Sequence, residues 1–562
     1  MQLFNGLCLA AVCALALAAL FAGGEQVRMD AGNGGPLPWG REKKTLVYGA
    51  VLGVALLRLV KFGSVPGGFN QDGAMAAVDA LALARYGTDR FGTWLPAHFT
   101  AWGFGQMSVL LSYCMVPFIR LFGLSAVTAR LPVLLASLMG MGAFYGILRR
   151  QEGEGAALAG LAYLAIMPWH FMQSRWALDC NMFPHMFLLG FSLLLLGLKR
   201  PRCWYGAMVF FALCLYSYGV AFTMVPLFLL LAGLLLLRER RIRWPRLLLC
   251  ILLFSLLSFP IVGTMLINTL HGQTIALPFV TMQAFPNSVR SGDILFFSPH
   301  PLRQLTSNAR SLVDVGLLQK PDLPWNAIDG FGSLYLCSLP LVLLGLGLVI
   351  HDSLRFPDAD RRLCCRLLLL YWLCSVFTGL CINNVNINRI NVLFYCHALL
   401  IALALHRILT VRRWTLWPLL VCYGLSAAAF FGSYFGPWAD RASDLFFADF
   451  LQAVQYAGTQ DCDAYRITPD VQGKNRGYVS EILTLYALQI DARYYQGATD
   501  GDGQIPYRER FVYENPPPQL EEADTSTAYV LPSGALPAYD PAAWEEIPFG
   551  DYTVLLSRDI GE

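Results

Sequence analysis

Apolar runs of about 17–22 residues recur along the chain, some twelve of them, at roughly 3–23, 45–62, 129–148, 154–169, 182–198, 203–218, 221–237, 246–266, 333–350, 366–382, 391–409 and 414–433. At a rise of about 1.5 Å per residue, a run of that length crosses the ~30 Å hydrocarbon core of a bilayer. In lipid every backbone N–H and C=O must be satisfied internally, so such runs fold as helices. The expected architecture is an all-α polytopic membrane bundle, and the low charge content, 14% of 562 residues, agrees with it. The first run has no basic segment ahead of it and reads as a span rather than a cleaved signal.

Charge divides the chain in two. From Asp440 onward there are 8 Lys and Arg against 21 Asp and Glu, a net of −13, which leaves +16 on the part before it. Two solvents and two domains are expected: a membrane domain over 1–439 and a small soluble α/β or α+β domain over 440–562. The tail alternates β-like runs (AYRIT, TAYVLP, YTVLLSR) with a helical stretch at SEILTLYALQ, and ENPPPQLEEAD reads as a loop. Most of the 15 cysteines lie within apolar runs, where they act as small hydrophobes.

Orientation follows from the basic loops. LRRQ (148–151), LKRPR (198–202), RERRIRWPR (238–246), DADRRLCCR (358–366) and HRILTVRR (406–413) should be cytoplasmic, as should REKK (41–44). They share one side if 106–123 does not cross, so that stretch is expected to be an amphipathic helix on the outer face. The acidic tail and two large loops, 63–128 and 267–332, are then extracytoplasmic. Arg58 and Lys61, near an outer end, go against this pattern.

Five polar clusters fall at the outer ends. Asp72 and Asp79, seven apart in FNQDGAMAAVDA, would share a helix face; Asp72 could take a proton from a hydroxyl, or Asn70 and Asp72 could simply cap a helix. The run YGTDRFGTWLPAHFTAWGFGQ (86–106) carries Asp89, His98 and Trp102, suited to sugar rings or to interfacial anchoring. In PWHFMQSRWALDCN, Arg175 and Asp179 have the spacing of a helical ion pair, with His170 and His185 near. KPDLPWNAIDGFG sets Lys320, Trp325, Asn326 and Asp329 at the surface, where turn chemistry is the alternative to function. NNVNINRINVLF places Arg389 among asparagines that include Asn388; a guanidinium there suits phosphate, or snorkels to headgroups.

In order, FNQDGAMAAVDALALARYGTD, GQMSVLLSYCMVPFIRLFGLSAVTARLP, PWHFMQSRWALDCN, WNAIDGFGSLY and NINRIN resemble the polyprenyl-phosphate-sugar glycosyltransferases of the C-type membrane fold. That superfamily includes the protein O-mannosyltransferases and the aminoarabinose transferases of lipid A. The resemblance covers most of 45–433 and implies about twelve membrane helices with juxtamembrane helices in the first external loop. It implies that Asp72 is the catalytic base. The acid that often follows is replaced by Gly73, which places in question the role of a second carboxylate, a divalent metal included; Asp79 or Asp89 are candidates to compensate. Basic residues of the outer mouth, Arg389, Arg175 and Lys320, would hold the donor phosphate. His98, Trp102, Asp179, Trp325, Asn326 and Asn388 are candidates for the sugar or acceptor.

The expected reaction is inverting transfer of a sugar from a polyprenyl-phosphate donor to an extracytoplasmic hydroxyl of a protein, a lipid or a cell-wall glycan. No certain cofactor is indicated and a divalent metal is left open; membrane lipids are expected partners and nucleic acid is not. Neither GxxxxGK[ST] nor a dinucleotide fingerprint occurs. The absence of outer Asn-X-Ser/Thr points to the plasma membrane. Competing readings are a transporter or lipid-linked sugar flippase, which would place polar sites near the midplane, and a degenerate envelope scaffold.

Overall fold

The structure is a computed structural model and describes residues 2–21, 41–101, 105–286, 295, 298–411, 413–472, 474–499, 501, 504–521 and 526–558. Each of the twelve apolar runs contains a helix. Nine helices are of themselves long and apolar enough to span, among the described residues; three shorter ones, 48–59, 154–166 and 203–215, cover the remaining runs. The Glu154–Ile166 helix breaks at an extended Met167 and resumes as Pro168–Gln173. A proline disfavours helical geometry at the residue before it, which accounts for the break. The protein is thus a mostly helical, multi-pass membrane protein with a β-containing C-terminal domain.

Ion pairs tie the basic loops together at one end of the bundle. Arg366 reaches Glu239 at 2.6 Å, Arg361 reaches Glu152 at 2.9 Å, and Arg241 pairs with Asp360. Arg58, one of the two exceptions to the charge pattern, is wholly buried and bonded to His170 Nδ1 at 2.9 Å, whereas Lys61 is exposed. His170 and His185 in turn meet at the Tyr395 hydroxyl, at 2.9 and 2.8 Å. Arg58 therefore never faces lipid or solvent, and the rule for loop charges does not apply to it.

At the other end lies the helix Gln71–Tyr86. The Asn70 side chain accepts the Gly73 N–H at 2.9 Å, and Gly87 closes the helix in the left-handed region at φ 73°. These are the ordinary start and stop signals. The stretch 106–123 divides into a short strand, Gly105–Met107, paired with Phe99–Ala101, and a helix, Leu110–Phe122. That helix is about 20 Å long at 1.5 Å per residue. It lies along the Asp72 helix, Ser112 Oγ donating to the Ala76 carbonyl at 2.8 Å and Arg120 Nε to that of Ala84 at 2.9 Å.

The tail forms a mixed five-stranded sheet in the order Trp544–Phe549, Tyr552–Ser557, Thr527–Pro532, Ala464–Ile467, Phe511–Tyr513. The first three pair antiparallel, and Ala464–Ile467 is parallel to both its neighbours. Its helix Gly477–Ala487 docks on the Asp72 helix. Phe69 stacks on Tyr486 with ring centres 4.4 Å apart, Arg85 and Tyr86 both reach Asp491 (2.9 and 2.7 Å), and Gln489 donates to the Leu124 carbonyl at 3.2 Å. The acidic tail thus clamps the back of the helix whose first turn carries Asp72.

Candidate active site

Asp72 occupies the first turn of its helix, half-buried, and faces a cavity of about 120 Å³. Four chain segments meet it there. Ala101, Gln106 and Met107 come from the two-stranded ribbon, and Leu178, Asp179 and Cys180 from the turn that opens Met182–Gly197. Tyr218 comes from the turn before Ala221–Arg238, and Asn388 from the loop before Asn391–Val411. Two carboxylates, two amides and a phenol therefore converge at one end of an apolar bundle.

Main-chain contacts hold the second carboxylate in place. Asp179 Oδ1 accepts the Cys180 N–H at 2.7 Å, and Asn391 Nδ2 donates to the Cys180 carbonyl at 2.7 Å. Asn181 donates back to the carbonyls of Gln173 and Trp176. Position 73, where the resemblance leads to the expectation of an acid, has no room for a side chain. A Cβ at Gly73 would lie 2.5 Å from the Ala177 carbonyl oxygen and 3.1 Å from the Phe69 ring. The turn bearing Asp179 packs where a side chain at 73 would project, so the carboxylate beside Asp72 comes from a different element.

Several expected site residues serve elsewhere. Asp79 is fully buried and paired with Arg90, accepting its N–H at 3.1 Å and its Nη1 at 2.5 Å. Burial pushes the Asp79 carboxyl up, to about 7, against the opposing pull of Arg90. Seven residues along a helix is about 10 Å, so Asp79 does not share the Asp72 cavity. Asp89 takes the N–H groups of Phe91 (3.0 Å) and Thr93 (2.8 Å), which shapes its own turn.

The helical pairing expected of Arg175 and Asp179 does not form, because the helix ends at Gln173 and Arg175 turns inward. Its Nη atoms donate to the carbonyls of Leu57, Arg58, Val60, Lys61 and Val65, and its Nε to the Tyr434 hydroxyl at 3.0 Å. With all its donors used, the guanidinium staples the 57–65 segment and is not available to a phosphate. Lys320 bonds Asp314 at 2.7 Å, away from the cavity wall. His98 is buried, its ring edge-on to Phe285, and Trp102 lies outside the described residues.

The remaining clusters do come together. Asn326 Nδ2 donates to Asn388 Oδ1 at 2.6 Å, and the Ile387 N–H donates to Asp322 at 2.6 Å, which joins the 320–332 segment to the 383–390 loop. Trp325 is partly buried beside Asn326. Arg389 follows the cavity-lining Asn388, its Nη1 donating to the Asn383 carbonyl at 2.6 Å. Gln106 and Tyr218 are wall residues that the sequence reading did not single out as candidates. Gln106 ends the glycine- and aromatic-rich run, and Tyr218 is a polar residue at the break between two apolar segments. Among the described residues no three His, Cys, Asp or Glu side chains gather into a metal-binding group, and the carboxylates among the described residues lining this cavity are Asp72 and Asp179.

Residues 106–263 match the family model described as dolichyl-phosphate-mannose-protein mannosyltransferase. The structure is similar to that of ArnT from Cupriavidus metallidurans bound to undecaprenyl phosphate, with a TM-score of 0.54 at 13% identity over 93% of this chain and 100% of that one. An oligosaccharyltransferase from Archaeoglobus fulgidus, in complex with Zn and sulfate, is also similar (TM-score 0.48, 13% identity, 77% of this chain and 61% of that one). No curated protein matches the chain. Residues 106–263 thus match a mannosyltransferase family model, and the chain as a whole shares the fold of ArnT.

Proposed function

We propose that the protein transfers a sugar from a polyprenyl-phosphate donor to an acceptor hydroxyl, with inversion, in the cavity bounded by Asp72 and Asp179. The convergence of these two carboxylates with Asn388 at one end of an apolar bundle carries the reading. The ordered motifs, the family match and the fold support it.

Asp72 removes the proton of the acceptor hydroxyl as its oxygen bonds to the anomeric carbon. The bond from that carbon to the phosphate oxygen breaks, and the polyprenyl phosphate leaves with the electron pair. Arg389, on the loop that supplies Asn388, stabilises the charge developing on the phosphate. Asp179 orients sugar or acceptor hydroxyls, and the Asn326–Asn388 pair fixes the loop against the cavity. A divalent cation would be held by Asp72 and Asp179 and would supply positive charge to the developing phosphate; no step above requires it. On this reading the cavity and the tail are extracytoplasmic, which the preference of basic loops for the cytoplasmic side supports, and the membrane is the plasma membrane, which the lack of outer Asn-X-Ser/Thr supports. The acceptor is a protein, lipid or cell-wall glycan.

The test is transfer from a panel of radiolabelled polyprenyl-phosphate sugars by the purified protein, with a membrane extract supplying acceptors. Labelling that Asp72→Asn abolishes supports the proposal. No labelling across the panel by folded protein would count against it.

A further inference from the structure

A second cavity, of about 550 Å³, is distinct from the one at Asp72. It opens at the other end of the bundle. Asp179 borders the first cavity and Lys199 the second, at opposite ends of the Met182–Gly197 helix. Twenty residues at about 1.5 Å each separate the two by about 30 Å, the thickness of a bilayer core. The second cavity therefore lies at headgroup depth in the opposite leaflet.

Its charges are unevenly matched. The acids on its wall are all engaged. Glu152 is held by Arg361 at 2.9 Å, Asp360 by Arg241, and Asp358 caps the helix Ala359–Cys381 by accepting the N–H groups of residues 360 and 361. Arg361 also reaches Asp352 at 3.1 Å. Arg149, Arg150 and Lys199 have no acidic partner among the described residues, and Arg361 Nε is buried without an acceptor. The rest of the wall includes leucines at 195, 196 and 198. Cations beside leucine side chains, at headgroup depth and in a space the size of an ordinary ligand site, fit a phosphate that carries an acyl chain.

We infer that this cavity binds the phosphate headgroup of an anionic phospholipid, with Arg149, Arg150 and Lys199 as its ligands. The site is separate from the Asp72 cavity and does not depend on the function assigned there.

The experiment titrates the purified full-length protein in neutral detergent with dioctanoyl-phosphatidylglycerol and follows the thermal unfolding midpoint. Dioctanoyl-phosphatidylcholine and inorganic phosphate are the parallel arms. Phosphatidylglycerol should give a saturable rise that phosphatidylcholine does not. At about one kcal/mol per basic residue at a membrane surface, roughly fivefold each, the triple variant R149Q/R150Q/K199Q should bind about a hundredfold more weakly. Arg303→Gln, an exposed cation elsewhere, should bind as the wild type does. If the triple variant does not fold, Arg150→Gln and Lys199→Gln singly should each lose about fivefold. Unchanged phosphatidylglycerol affinity in the variants would overturn the assignment. So would an equal effect of inorganic phosphate, which would show a site for the free anion.

Discussion

Gly73→Ala separates two opposed effects at the proposed active centre. Alanine is the better helix former, by up to about 1 kcal/mol in an interior position. If the backbone about residue 73 were open, the substitution would stabilise the protein. In the structure the new Cβ would lie 2.5 Å from the Ala177 carbonyl oxygen, when real Cβ contacts essentially never fall below 3.0 Å. The 176–178 chain must therefore move by at least about 0.5 Å, and overpacking of this kind costs about 1–3 kcal/mol. The net expectation is a loss of roughly 0–2 kcal/mol. Asp179 lies two residues beyond the displaced carbonyl, and a misplacement of about 1 Å near a reacting centre can cost about 100-fold in rate. The shift here is about half that, so turnover should fall roughly tenfold. The assay pairs the thermal midpoint in detergent with steady-state transfer. A raised midpoint with unchanged turnover would refute the account of why glycine stands beside Asp72.

Asp79→Ala leaves the buried Arg90 without its carboxylate, at a cost of about 3–5 kcal/mol; limited proteolysis should then cut within 86–107, and wild-type resistance would count against the pairing. Burial raises the Asp322 carboxyl above its ordinary value of 3.8. The folded state then binds that proton more tightly than the unfolded chain, so this group's contribution is present at low pH and declines as pH rises above about 4. Asp322→Asn should flatten that part of the midpoint-against-pH curve, and an unaltered slope would contradict the shift. Asp491→Asn should lower the midpoint by less than about 1 kcal/mol equivalent, since Arg85 and Asp491 are both partly exposed; a larger loss would mean that the tail clamps the Asp72 helix more strongly than the geometry implies.

The membrane helices were readable because apolar length is a one-dimensional property: every run predicted to span lies on a helix. The mostly helical bundle and its β-containing tail were equally accessible, the tail through its charge and its alternating runs. The start of the Asp72 helix was visible in Asn70, whose side chain caps it. What the sequence could not supply was partnership across distance. Asp79 and Asp89 share a composition with catalytic acids, yet each is engaged by groups that follow it in the loop: Arg90, Phe91 and Thr93. Arg175 and Asp179 suggested a helical pair because spacing does not disclose that Pro168–Gln173 stops short of them. Gly73 was visible as a departure from the family pattern, but the Ala177 carbonyl that leaves no room for a side chain there is more than a hundred residues away.

The central claim is that Asp72 takes the acceptor's proton. The direct measurement is steady-state transfer by Asp72→Asn, with the thermal midpoint as a check on folding. Loss of a general base predicts a fall in kcat of about 100- to 10,000-fold with donor KM nearly unchanged. A folded Asp72→Asn protein that turns over at the wild-type rate would contradict it.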